Sequence, residues 1–102
     1  MKVRLPFRPA FRGPMLLDEK ILTCRPEQMG DPGDTFEAFG ATFRLTHVFR
    51  TRLGYIIADA YRQEGCRSVQ ELMDIWNSIH PKVGVGDGSQ TVWAHCFVRV
   101  SS

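Results

Sequence analysis

Between Met15 and Arg25 a short apolar stretch gives way to Lys20, Thr23 and Arg25. Side chains alternate faces along an extended chain, so an extended Leu22 to Arg25 puts Thr23 and Arg25 on one face. Lys20 then stands at the mouth of that strand, on the edge of the same face, and Gly33-Asp34 marks a turn shortly after. An ammonium, a hydroxyl and a guanidinium that converge suit a polar ligand with oxygens, such as a nucleotide or a modified base. The same residues also fit a solvated strand edge carrying two surface cations.

Glu64 is the carboxylate that could join them. The pattern places it at the end of a helix, directly before Gly65-Cys66, where the macrodipole is already negative. It is either a surface glutamate, at a cost of roughly a few tenths of a kcal/mol, or a group recruited to pair with Lys20 or Arg25. In one pocket, Lys20, Thr23 and Glu64 would make a hydrolytic set. A desolvated lysine can act as base toward the Thr23 hydroxyl, and Glu64 can hold the lysine or relay protons. The chemistry would be hydrolysis through a hydroxyl nucleophile or a positioned water.

The other chemistry-bearing residues are less organised. His47, His80 and His95 have neither helical i, i+4 pairing nor acidic partners at ligand spacing, so no metal site is expected. His95 lies between Trp93 and Phe97 on an alternate face. It reads as a core histidine bonded to a backbone carbonyl or, with Trp93 stacked on a base, as a reader of that base's edge. The three cysteines, Cys24, Cys66 and Cys96, form no C-x-x-C pair and no zinc spacing. They read as buried free thiols of a reducing compartment. Gly84 to Ser89 is glycine-rich but follows a helix and precedes a strand, the reverse of a dinucleotide fingerprint. It reads as a mobile connection or a lid.

The 102 residues suffice for one domain with its own core. A net charge of +2 is too small to imply nucleic acid by electrostatics alone. Lys2, Arg4, Arg8 and Arg12 nevertheless precede the first acidic residue, Asp18. They form either a solvated basic edge or a phosphate-facing rim. The N-terminus lacks a signal-peptide core, and no run is long enough to span a membrane, so a cytoplasmic location is expected.

The elements that must position the candidates follow from periodicity. Lys2 to Phe7 alternates as a short edge strand limited by Pro6 and Pro9. Pro14 suits the start of a short helix over Met15 to Glu19. Ile21 to Arg25, Thr35 to Phe39 and Ala41 to Phe49 read as strands. In the last, Phe43, Leu45, His47 and Phe49 share one face, and Thr42, Arg44, Thr46 and Val48 the other. Helical spacing then runs from Tyr55 through Ile56, Ile57, Ala60 and Tyr61 to Gly65. A second helix opens on the capping box Ser68 to Glu71, shows Val69, Leu72, Met73, Trp76 and Ile79 as its apolar stripe, and stops at Pro81. Thr91 to Val100 is apolar on both faces and reads as a central strand. Helices clustered between strands argue for α+β rather than βαβ winding: a small curled sheet or barrel with a helical pair at one side.

Five segments in order resemble the ASCH domain family: Lys20-Ile-Leu-Thr23-Cys-Arg25, Gly33-Asp34, Tyr61-Arg-Gln-Glu64-Gly65, Ser68-Val-Gln-Glu71 with Trp76, and Val92-Trp-Ala-His-Cys-Phe97. The family pattern is an apolar stretch ending in G-x-K-T-x-T-x-R, a G-D turn, E-G before a helix, and a closing aliphatic strand ending in Phe. The resemblance implies a single domain over residues 1–102, a small PUA-like mixed β-barrel with two main helices packed at one side, and a cleft for RNA or a nucleoside. Small members hydrolyse N(4)-acetylcytidine with a lysine, a threonine and a glutamate, which fall on Lys20, Thr23 and Glu64. An amidohydrolase for an acylated pyrimidine nucleoside is therefore implied, needing no cofactor or metal. Arg25 would clamp the substrate, and Tyr61, Trp93 and His95 would bind it. The alternative is a non-catalytic RNA-binding module in which the same cations contact phosphate and Trp93 or Tyr61 stacks on a base. A third reading is a protein-interaction accessory with a vestigial cleft. The partner is a modified nucleoside or RNA rather than a membrane. The chain departs from the pattern at Ile21, where a threonine is usual, at Asp18-Glu19, where a glycine is usual, and over Pro26 to Pro32.

Overall fold

Phe39 and Gly40 both take left-handed backbone conformations, with φ of 54° and 79°. Two such residues in succession make the tight turn whose twist matches that of paired strands. β2 (Thr35–Ala38) therefore folds straight back on β3 (Ala41–Arg52), and Ala38 pairs with Ala41. β4 (Thr91–Ser101) lies between β3 and β1 (Leu22–Arg25), so the antiparallel sheet runs β1-β4-β3-β2. In this computed structural model, which describes residues 1–101, the sheet curls as a half-barrel and the architecture is α+β.

The helices are α1 (Arg12–Leu16), entered through a 3₁₀ turn at Pro9–Phe11, then α2 (Leu53–Asp59) and α3 (Val69–Ile79). β4 is the central strand its composition predicts. Val92 and Ala94 pack with Leu22, Cys24, Ile56, Ile57, Leu72 and Trp76, which joins α2 and α3 to one side of the sheet. Phe97 packs with Leu5, Met15, Phe36, Phe43 and Leu45 in a second core. There Phe36 stacks on Phe43 at 5.2 Å between ring centres and meets Phe97 edge-on at 5.3 Å. Among the described residues no helix is long and apolar enough to cross a membrane.

Several expectations are corrected. Simple alternation along β3 fails because its register with β4 slips between Leu45 and His47. The extra residue reverses the faces beyond it. Val48 thus packs with the Phe43 core, while His47 and Phe49 are exposed. Lys2 to Phe7 is not a strand; only Lys2 bridges Thr35, in parallel sense. Pro6 cannot donate to a ladder, which accounts for the interruption. The short helix starts at Arg12, so Pro14 sits inside its first turn, where a backbone N–H has no intrahelical partner. α2 ends at Asp59, and Glu64 follows in the turns beyond it. Glu64 is therefore not set against a helix terminus.

α3 starts where the sequence predicts, with Ser68 Oγ accepting from Glu71 N–H at 3.1 Å as one half of the capping box; of the expected stripe, Leu72 and Trp76 are buried while Val69 and Ile79 are exposed. The glycine-rich connection is fastened rather than lid-like. Gly54 N–H donates to the Gly88 carbonyl at 2.8 Å, and a Cβ on Gly88 would stand 2.9 Å from Gly54 Cα. Asn77 Oδ1 accepts from Val85 N–H at 2.8 Å, and Val85 is buried against α2 and α3.

Phe36 has no solvent contact and touches Phe7, Phe43 and Phe97. Phe36→Ala is expected to cost about 3–5 kcal/mol, read from the shift of the urea unfolding midpoint. A loss below about 1 kcal/mol would show that this second core contributes little.

Candidate active site

The chain leaves α1 through Asp18, whose φ of 60° is left-handed. This is where the family pattern has glycine, and aspartate is one of the few other residues to visit that conformation. Glu19 N–H and Lys20 N–H both donate to the Pro14 carbonyl, which directs Lys20 inward at the start of β1. Across from it, the turns after α2 bring Glu64 alongside, and the two residues form an antiparallel bridge. Ile21 and Leu22 N–H both donate to the Gln63 carbonyl, extending the join.

Lys20 is 3% exposed and Glu64 4%. Lys20 Nζ donates to the Leu22 carbonyl at 2.8 Å, to the Glu64 carbonyl at 2.8 Å and to Glu64 Oε1 at 3.2 Å. Three acceptors match the three N–H groups of an ammonium. The Phe11 ring lies beneath the charge, 4.4 Å from Nζ to its centre. Gly65 makes this approach possible. Its φ is 85°, and a Cβ there would stand 2.9 Å from Lys20 Cβ and 3.3 Å from Pro14 Cβ. The Glu-Gly pair is thus a geometric requirement: the carboxylate binds the lysine, and the glycine lets the backbones meet.

Thr23, 5% exposed, accepts from Arg25 Nε at 3.3 Å. Arg25 also donates to the Pro6 carbonyl at 2.7 Å, and its guanidinium lies 5.0 Å from the Phe7 ring centre. Burial lowers the Arg25 pKa, and the Glu64 charge opposes that shift. Lys20, Thr23, Arg25 and Glu64 all line one cavity of about 750 Å³. A volume of this size suits a nucleoside-sized ligand. The cations of its lining, Arg8, Lys20 and Arg25, are nearly balanced by Glu27 and Glu64.

The remaining expected binding residues lie elsewhere. Tyr61 packs against the α2–α3 core, with Arg62 5.7 Å from its ring centre. Trp93 stands opposite Arg25 on β1 and Arg50 on β3. His95 is 0% exposed, opposite Thr23. Its Nε2 accepts from Met29 N–H at 3.0 Å, so the neutral ring carries its proton on Nδ1. That Nδ1 meets no partner among the described residues. Its place is behind the cavity: it ties down the loop whose Pro26, Glu27 and Met29 form part of the cavity wall. Ile21, the missing threonine, also lies outside the lining, and its backbone carbonyl accepts from Phe97 N–H at 2.9 Å.

The cavity also includes residues that sequence patterns did not assign to it. Leu72, Ile75, Trp76, Ile79 and His80 bring α3 to its wall. Their periodicity reads equally as core, so no pattern distinguishes a stripe that ends in a cavity. The thiols are poor nucleophiles. Burial raises the Cys24 pKa far above its ordinary value, with Glu64 adding to the effect, and raises that of Cys66 to about 11. Among the described residues no group of three or more His, Cys, Asp or Glu side chains could hold a metal ion.

This geometry can be set beside known structures. A hypothetical protein, PH0355, superposes with a TM-score of 0.73 at 13% identity, over 98% of this chain and all of the other. An ASCH domain from Lactobacillus crispatus superposes with a TM-score of 0.64 at 16% identity, over 91% of this chain and 72% of the other. The chain has an ASCH-like fold. Protein PF0455 from Pyrococcus furiosus, solved by solution NMR, shares that ASCH-like fold at a TM-score of 0.65 and 14% identity, with 98% of both chains covered. No protein-family model matches the sequence, and no curated protein matches it.

Two measurements test the site's construction. Gly65→Ala is expected to destabilise the fold by about 1–3 kcal/mol, since it adds both left-handed strain and the Lys20 clash. An unfolding midpoint equal to wild type would show that the turn yields freely. Burial lowers the His95 pKa, while the backbone groups of Thr23 and Trp93 oppose the shift. Its neutral form is favoured in the fold, so its stabilisation is complete above an unfolded pKa of 6.5 and is lost as pH falls below it. Unfolding midpoints between neutral pH and pH 5 should therefore fall more steeply for wild type than for His95→Gln; parallel slopes would remove His95 from this role.

Proposed function

We propose that the chain hydrolyses the amide of an acylated pyrimidine nucleoside, N(4)-acetylcytidine being the simplest member. One observation carries this reading: Lys20, Thr23 and Glu64, each at most 5% exposed, line the same cavity, with Lys20 ion-paired to Glu64. Burying three polar groups is costly unless they are paired or used.

Lys20 and Glu64 work as one proton-transfer unit. Moving a proton along the 3.2 Å Nζ–Oε1 contact converts the ion pair to an amine and a carboxylic acid. The amine takes the Thr23 hydroxyl proton as Thr23 Oγ bonds to the acyl carbon. The carbon–nitrogen bond then breaks, and the regenerated ammonium supplies the proton that leaves with the nucleoside amine. A water molecule attacks the resulting ester by the same route, releasing the carboxylic acid and restoring the hydroxyl. Arg25, held beside Thr23, orients the ligand through donors that remain charged.

A second reading, single-stranded RNA binding, has its own support. Arg25, Trp93 and Arg50 lie opposite one another across β1, β4 and β3, and Arg50 is 5.7 Å from the Trp93 ring centre. Arginines flanking an aromatic ring suit a stacked base between phosphates. The nearly balanced cavity lining favours the small, uncharged ligand.

Glu64→Gln and Thr23→Val should each reduce turnover of N(4)-acetylcytidine by on the order of 100–10,000-fold, followed by chromatography at a temperature where circular dichroism shows each variant folded, Glu64→Gln being the less stable of the two. Turnover at the wild-type rate in either variant would sink the mechanism. For the second reading, RNA affinity should fall with salt at a logarithmic slope near −1.5, about two phosphate contacts, and Trp93→Ala should weaken it. A flat salt response would exclude it.

A further inference from the structure

The cavity is larger and more apolar than its polar end requires. α3 sends Leu72, Ile75, Trp76 and Ile79 along one wall, a spacing that keeps all four on one helical face. Leu72 and Trp76 are buried, but Ile75 is only partly covered and Ile79 is 42% exposed. Leu72 and Trp76 belong to the core and Ile75 packs against its edge, so the stripe leaves part of Ile75 and most of Ile79 facing away from the core. Phe11 also lines the cavity, and its contact with Lys20 joins the apolar lining to the polar end.

Apart from the His80 ring at its far end, the wall offers little to a polar group. The Trp76 indole N–H is spent on the Gly84 carbonyl at 3.2 Å. The polar residues of α3, such as Gln70 and Asp74, bond each other away from the cavity lining. A ribose hydroxyl or a pyrimidine edge buried against this wall would lose its hydrogen bonds to water without replacement, which is unfavourable. Those groups belong at the end that holds Thr23, Arg25 and Glu27. The part of the substrate left for the wall is the acyl group, which has no polar atoms beyond its carbonyl.

We propose that α3 forms an acyl pocket, and that the preferred substrates carry an apolar acyl group distinctly longer than acetyl, such as hexanoyl or benzoyl. This rests on the hydrolase reading and specifies it. Ile75 and Ile79 are the specificity-determining residues, because they are the members of the stripe left open. Each methylene buried against the wall should raise kcat/KM by about fourfold.

The test is a series of N(4)-acylcytidines, from acetyl through butanoyl to hexanoyl and benzoyl, assayed with wild type, Ile75→Gln and Ile79→Gln. Hexanoyl carries four more methylenes than acetyl, so wild type should favour it by about 100-fold or more in kcat/KM, and each variant should reduce that ratio by about fivefold. Ile79 is exposed enough to accept glutamine without disturbing the fold, so this variant keeps the test valid if Ile75→Gln is unstable. Acetyl turned over as well as hexanoyl, or a ratio unchanged in the variants, would overturn the acyl pocket and leave the hydrolase standing. Turnover of no member of the series would overturn both.

Discussion

One ammonium organises this molecule. Lys20 is inside the protein, where a charge is tolerated only if each of its donors is met. The acceptors come from two places: the Leu22 carbonyl of β1, and the backbone and side chain of Glu64 in the turns after α2. α1 contributes the Pro14 carbonyl that sets the direction of the chain, and Gly65 contributes the space. Three separate segments are thus fixed by a single requirement. Removing either partner of a buried ion pair leaves an uncompensated charge, a loss of about 3–5 kcal/mol, so the pair constrains structure and chemistry together.

Much of this was legible in the sequence, and the exceptions have physical causes. The strands that hold the site, the α3 cap and the central position of β4 follow from period-2 and period-3.6 patterns that read correctly where burial is one-sided. The β3 faces fail beyond Leu45 because a bulge adds one residue without leaving a mark in composition. Lys20, Thr23, Arg25 and Glu64 come to one cavity, but not for the local reason the sequence suggests, because α2 ends at Asp59 and Glu64 lies beyond any helix terminus. What places Glu64 is a long-range backbone bridge to Lys20, and local periodicity carries no record of such a contact. Trp93 and His95 share a strand near the site yet stay out of the cavity, since strand register alone does not say which residues a loop will cover.

The departures from the ASCH pattern turn out to be compatible with its geometry. Asp18 takes the left-handed turn that a glycine would take, and its carboxylate accepts from both Arg99 Nε and a terminal Arg99 nitrogen on β4, at 3.2 and 3.1 Å. Ile21 replaces a hydroxyl at a position whose backbone, rather than side chain, serves the join between β1 and its neighbours. At both positions the turn and the strand join rest on the backbone: the left-handed conformation of Asp18, and the N–H and carbonyl of Ile21.

The pairing of β1 with β4 has a consequence for how the site comes into being. Leu22 pairs with Cys96 and Thr23 with His95, so the strand that presents the hydroxyl takes its ladder neighbour from a segment roughly seventy residues further along the chain. Contacts so distant in sequence carry a large loop-closure entropy and form late. The β2–β3 hairpin and α3 can fold locally, but Thr23 cannot be held in place until β4 has been synthesised and has docked. During translation the nascent chain would carry every residue of the polar site well before it could assemble any of that site's chemistry.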